Sequence, residues 1–344
     1  MGSCQMENLY IFYHIPKCGG TTVSRVIDRV YDSSVLHAVD PSTHKFETAL
    51  QALRQMDPES ISKLRMIRGH QTYGLHKAFQ RPCRYITVLR EPARRFVSAY
   101  YHAIFREPAS RLGQRLRETG VSLKRLAEAD DEVLGRDYLV RRFAGVPDAT
   151  HAVDGTAFLA LAKRNLSSDF TVVGITERMD ESVLLISELL HWKIRGYRSH
   201  NLNKRYSTNE VDPEVLKVFR QRNSSDVGFY EFAVSLFEKQ TRTVPSFREK
   251  LEHFRSTNRL YNRWHDRIDR LKEPLRPVHR LLTRISTGPD VFRRTGSSPQ
   301  RRRWGWAGSA GIPSGTVIPL YYMRSVWILR FSRSCCDTRI FVPR

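Results

Sequence analysis

The stretch Leu9-Tyr10-Ile11-Phe12-Tyr13-His14-Ile15-Pro16-Lys17-Cys18-Gly19-Gly20-Thr21-Thr22 decides how the rest of the chain is read. Leu9 to Ile15 is a β-rich apolar run, suited to a strand covered on both faces. Pro16 to Gly20 is a turn. Helix signals begin at Thr21, and Val23, Val26, Ile27 and Val30 are spaced to share one apolar face. A strand that turns through glycines into a helix aims backbone N–H groups and the positive end of the helix dipole at an anion. Gly19 and Gly20 permit close approach and positive φ. Lys17 adds a point charge, and Thr21 and Thr22 add hydroxyl donors. Because the lysine precedes the glycines, the usual nucleotide-triphosphatase loop order is absent. A phosphoryl transferase of that kind is disfavoured.

A second segment has the same grammar. Tyr85-Ile86-Thr87-Val88-Leu89 is an apolar strand ending at Arg90, and Pro92 suits the first turn of the helix that follows. Ser98 lies eight residues past Arg90, about two helical turns. An arginine fork and a hydroxyl suit a terminal phosphate. Arg94 and Arg95 read as solvated helix charges. Between the two segments, Leu64 to Ile67 reads as a strand ending at Arg68-Gly69-His70. His70, at a strand end and titrating near neutrality, is the general-base candidate. His14 reads as support for the loop, with His76 and His102 as secondary candidates.

Further strands are expected at Val35 to Val39 and Phe170 to Ile175. Helices are expected over Lys45 to Met56, through much of Ser122 to Asn165, and at Asp180 to Trp192, Pro213 to Arg222 and Phe229 to Lys239. Strands alternating with helices predict an α/β fold: a P-loop-like parallel sheet flanked by helices on both faces. Ligands of such sheets bind beyond the carboxyl ends of the strands, where both segments and His70 lie.

The 344 residues suffice for one substantial core. No apolar run reaches the roughly 18 to 20 residues of a membrane span, and no secretory leader is evident. A cytoplasmic protein is expected. Five cysteines, odd in number and without metal-ligand spacing, predict free thiols rather than a disulfide framework or zinc site. Charge is uneven. Residues 241–344 hold 22 Lys plus Arg against 7 Asp plus Glu, a net +15, whereas residues 1–240 hold 35 against 28, a net +7. We therefore expect a catalytic α/β region at 1–240, a basic helical extension at 241–287, and an Arg-rich segment of low order at 288–344. An anionic surface is a candidate partner for that basic tail. A non-enzymatic polyanion-binding protein acting through it is the competing reading.

His14-Ile15-Pro16-Lys17-Cys18-Gly19-Gly20-Thr21-Thr22 resembles the 5′-phosphosulfate loop of the carbohydrate sulfotransferases that include the heparan sulfate 2-O- and 6-O-sulfotransferases. Leu89-Arg90-Glu91-Pro92 through Ser98-Ala99-Tyr100 is similar to their 3′-phosphate motif, and Gly69-His70 with Tyr73-Gly74 to a further segment. Val173 to Arg178 with Ser182, and Asn201-Leu202-Asn203-Lys204, also look familial. The likeness spans about residues 9–240. Cys18 departs from it, because these enzymes usually carry Thr there. The resemblance implies transfer of a sulfuryl group from 3′-phosphoadenosine 5′-phosphosulfate to an acceptor hydroxyl, on a saccharide or glycoconjugate, without a metal. Lys17 and His70 would be catalytic. Lys17, Cys18, Gly19, Gly20, Thr21, Thr22, Arg90 and Ser98 would hold the nucleotide. Glu177 and Arg178 are expected to pair structurally, and Asn203 and Lys204 to close over the nucleotide.

Overall fold

The computed structural model describes residues 8–39, 51, 53–70, 73–129, 136–146, 156–198 and 211–272. Within them, five parallel strands form one sheet in the order β2-β3-β1-β4-β5. They are β1 (Leu9–Tyr13), β2 (Leu36–Ala38), β3 (Met66–Gly69), β4 (Cys83–Leu89) and β5 (Phe170–Ile175). Successive strand side chains point to opposite faces. Ile11, Phe12 and Tyr13 are nevertheless all fully buried, as are Tyr85, Ile86 and Thr87. Both faces of the central strands are therefore covered, and the apolar run of the sequence is explained.

Helix α1 (Gly20–Val30) follows β1 and buries Val23, Val26 and Ile27, while Val30 at its end is exposed. Helix α2 (Pro58–Lys63), a short helix the apolar pattern did not predict, is capped by Asp57 and opens on a proline. Helix α3 (Pro92–Phe105) follows β4, with the Glu91 side chain accepting from Arg94 N–H at 2.8 Å. Next come α4 (Arg111–Thr119), α5 (Leu123–Glu128), α6 (Tyr138–Ala144) and α7 (Thr156–Asp169), then α8 (Met179–Leu189) after β5.

Helix α9 (Pro213–Arg222) matches its expected bounds, whereas α10 (Ser224–Thr243) is longer than expected. Residue 240, the expected boundary, thus lies inside α10. Leu251 and Phe254 of α11 (Phe247–Lys272) join the main core, so the basic extension begins as a packed helix. Asn201 to Lys204, most of the helix expected at Lys45 to Met56, and everything after Lys272 lie outside the described residues. No described helix is long and apolar enough to cross a membrane.

Candidate active site

In this sheet the chain leaves β1 toward β2 and β3 on one side and later places β4 on the other. The crevice at the carboxyl end of β1 is the switch point where α/β sheets bind ligands. Register then decides which residues meet there. Tyr13 pairs with Gly69 on one side and Thr87 on the other, so β1 and β3 finish level while β4 runs two residues further, to Leu89. His14 and His70, each one residue further on, stack with ring centroids 4.0 Å apart. The Nδ1 of His70 lies 3.0 Å from the His14 carbonyl oxygen. A carbonyl can only accept, so Nδ1 carries a hydrogen; in the neutral form of the ring Nε2 then holds the lone pair. Burial, followed by the nearby His70, Arg68 and Lys17, holds the His14 imidazole well below its usual pKa, and it is neutral at pH 7.

The turn after β1 is strained where it is most charged. Lys17 adopts φ +69°, a left-handed conformation rare for a side chain of its size and costing about 1 kcal/mol or more. Gly19, at φ +74°, occupies the N-cap of α1. Among the described residues no side chain caps that helix and no acid lies in its first turn, so its positive end meets no carboxylate of its own turn. The glycines are also sterically required. A Cβ on Gly19 would stand 2.7 Å from the Met179 methyl, and one on Gly20 would stand 2.0 Å from the His14 ring. Loss of hydration lowers the Lys17 amine to about 8, with Glu107 opposing and Arg90 and Arg106 contributing repulsion. Cys18 is fully buried and its thiol is pushed up to about 12, so it packs as a small neutral group.

Arg90 reaches across to this turn. Its Nη1 donates to the Lys17 carbonyl at 3.4 Å, joining residues 73 positions apart. The Thr176 hydroxyl lies 2.8 Å from the Cys18 carbonyl and 2.9 Å from that of Leu89, within donating reach of either. The end of β5 thereby ties the first turn to the end of β4. Glu177 stands 4.0 Å from Arg90 Nε and accepts from Glu91 N–H at 3.2 Å and the Tyr230 hydroxyl at 2.9 Å. The expected pairing of Glu177 with Arg178 is not formed. Arg178 instead binds Glu181 and Glu238, because α8 and α10 put those carboxylates on its side.

Lys17, Cys18, Gly19, Gly20, Thr21 and Thr22 thus form one turn with Arg90 over it, and His70 flanks it through His14. Thr22 and Ser98 are buried, Ser98 within α3. Of the two helix charges read as solvated, Arg94 is exposed, but Arg95 is 3% exposed with its guanidinium 4.0 Å from the Tyr138 ring centre. It sits close enough to the buried Cys18 to affect its ionisation. Nothing in the local sequence distinguishes Arg95 from Arg94 except its position on the inner helical face. His102, in the last turn of α3, has its Nδ1 3.7 Å from Glu107 and feels the charge of Lys17. Its ring is held below the usual histidine pKa, first by burial and then by that lysine. Among the described residues no group of three or more His, Cys, Asp or Glu could hold a metal ion.

A parallel sheet with a glycine turn, a desolvated lysine and a bridging arginine at its switch point defines an α/β protein that gathers two cations beside a helix start. The sequence model of the sulfotransferase family matches residues 6–233, well over half of the chain, and the protein belongs to that family. It is 24% identical to the heparin sulfate O-sulfotransferase of Drosophila melanogaster over 261 residues, covering 67% of this chain and 73% of the relative. It is 25% identical to heparan sulfate 2-O-sulfotransferase 1 of Xenopus laevis and 23% to that of Homo sapiens, each match covering 67% of this chain and 71% of the relative. A crystal structure of mouse sulfotransferase SULT7A1 complexed with PAP aligns with a TM-score of 0.32 at 15% identity, over 64% of this chain and 65% of that one.

Proposed function

We propose that the protein moves a sulfuryl group from 3′-phosphoadenosine 5′-phosphosulfate to a hydroxyl of a saccharide. The observation that carries this reading is the Arg90 to Lys17 carbonyl contact of 3.4 Å, which puts both phosphate-type segments on one crevice. The residues fit such a donor: an uncapped helix start without acids, glycines that keep the backbone bare, and a lysine stripped of water. When bound, the donor supplies an activated sulfur whose bond to the bridging phosphate oxygen breaks as the acceptor oxygen attacks. The ammonium of Lys17 meets the charge that grows on that bridging oxygen. Arg90 grips the 3′-phosphate from the second segment, with Ser98 as its hydroxyl partner. His70, its Nδ1 hydrogen held by the His14 carbonyl, presents Nε2 to take the acceptor proton. His14, being neutral, supports that ring without adding repulsion. The saccharide acceptor is supported by the names of the relatives.

Titration calorimetry with adenosine 3′,5′-bisphosphate, the product left after transfer, tests the cradle before any acceptor is known. Saturable one-to-one binding that Lys17→Ala and Arg90→Ala each weaken is expected. Binding unaffected by either substitution would refute the assignment.

A further inference from the structure

Helix α11 carries Arg255, Arg259, Arg263 and Arg267 at four-residue spacing. Such residues form one row along a helix, about 6 Å apart. The first three line a groove of about 450 Å³ together with Asp180 and Asp266. Both acids are engaged. Asp180 accepts from the Tyr197 hydroxyl at 2.8 Å and lies 3.5 Å from Arg255, and Asp266 lies 2.7 Å from Arg198. Arg255 is further neutralised by Glu181 at 3.7 Å. Arg259 and Arg263 differ from it. Both are exposed, and neither has an ion pair or hydrogen bond among the described residues. Like charges one helical turn apart disfavour the helix unless an anion lies between them.

The place of the groove gives that anion an identity. Asp180 on its wall follows Met179, whose methyl packs against Gly19 of the Lys17 turn. The groove wall and the Lys17 turn are thus joined through adjacent residues at the start of α8. Helix α11 lies beyond residues 6–233, the part matched by the family. We propose that α11 is an accessory binding site for an acidic saccharide chain, its sulfate or carboxylate groups pairing with Arg259 and Arg263. This rests on the saccharide reading of the acceptor given above.

The test uses full-length protein and a heparin-derived hexasaccharide as probe. Phenylglyoxal modifies accessible guanidinium groups, and mass spectrometry reads each arginine. With probe at about four times its Kd, the reactivity of Arg259 and Arg263 should fall about fivefold. That of Arg248, 93% exposed on the same helix and outside the groove, should not change. Unchanged reactivity at Arg259 and Arg263, or equal protection of Arg248, overturns the proposal. The double substitution Arg259→Glu, Arg263→Glu should weaken hexasaccharide binding about tenfold or more, with affinity for adenosine 3′,5′-bisphosphate unchanged. Hexasaccharide affinity equal to wild type overturns it. A single-stranded RNA of equal charge that protects the same arginines at lower concentration would reassign the site to nucleic acid, against the proposal. Failure of the wild type to bind the bisphosphate would sink the transfer reading while leaving the arginine footprint to be read separately.

Discussion

The two phosphate-type segments use cations in opposite ways. Arg90 is accompanied: Glu177 stands 4.0 Å away, and Glu91 beside it is bound by Arg220 at 2.9 Å. Lys17 makes no ion pair among the described residues, sits in a left-handed backbone conformation, and has its pKa lowered by desolvation. A group that only grips a phosphate can be held ready by a carboxylate, since a ligand phosphate competes for the same fork. A group that must answer charge developing in a transition state is weakened by a standing partner. On the proposed reading, the unpaired, strained lysine would stand at the reacting end of the crevice and the escorted arginine at the holding end.

The largest effect expected from this contrast is at Lys17. Lys17→Ala should lower turnover about 10³-fold, the upper range for loss of one stabilising group at a reacting oxygen. The same substitution should leave the melting temperature at pH 7 unchanged or higher, because a desolvated cation burdens the fold. Its folded pKa of about 8 lies below the ordinary lysine value of 10.5, so the unfolded chain binds more protons between those values. Wild-type stability contributed by this group therefore rises as pH increases from about 8 to about 10.5, and that rise should be missing from the variant. Melts at pH 7.5 and 10 together with steady-state turnover check both parts. A variant that transfers at the wild-type rate, or that melts well below it at pH 7, would erase the contrast.

His70 ranks next. His70→Ala should reduce kcat by roughly 10²-fold, the ordinary worth of a positioned base, with little change in bisphosphate affinity because the ring lies to the side of the Lys17 turn. A kcat within twofold of wild type would leave the Nδ1 to carbonyl bond as a structural tie only.

How much of this was legible beforehand varies with range. β5 and α9 fall on their expected bounds, because continuous apolar runs and a proline preceded by aspartate are local signals. The short helices α2 and α4 bury little, α2 no residue at all, so no apolar stripe announced them. The Lys17 turn was readable from its glycines. The Thr176 bridge was not, since a threonine 158 positions from Cys18 carries no sign of its partner until β4 and β5 are paired. The same blindness placed Glu177 with its chain neighbour Arg178 when the fold gives it to Arg90 and Tyr230. Arg95 shows the complementary failure: composition treats it as solvated, while the inner face of α3 buries it.

At the holding end, Arg90→Lys keeps the charge but removes the fork. The bisphosphate Kd and the donor KM should rise about tenfold while kcat changes little. A fall in kcat with KM unchanged would move Arg90 to the reacting end and collapse the distinction.

The smallest signal is also the most selective. An anion placed against Lys17 favours its charged form, so its lowered pKa should climb when adenosine 3′,5′-bisphosphate binds. At pH 8, near the free value, about half of the lysines carry a proton, and binding should draw in roughly half a proton per site. At pH 6.5 the lysine is already protonated and its contribution should vanish. Ligand phosphates, with second ionisations near 6, are fully charged at pH 8 and contribute little there. Calorimetry in two buffers of different ionisation enthalpy measures the uptake directly. Arg90→Lys should bind more weakly yet keep the uptake, whereas Lys17→Ala should lose it even at saturating ligand. If uptake at pH 8 survives in Lys17→Ala, the responding group is another one, and the lysine does not meet the phosphate.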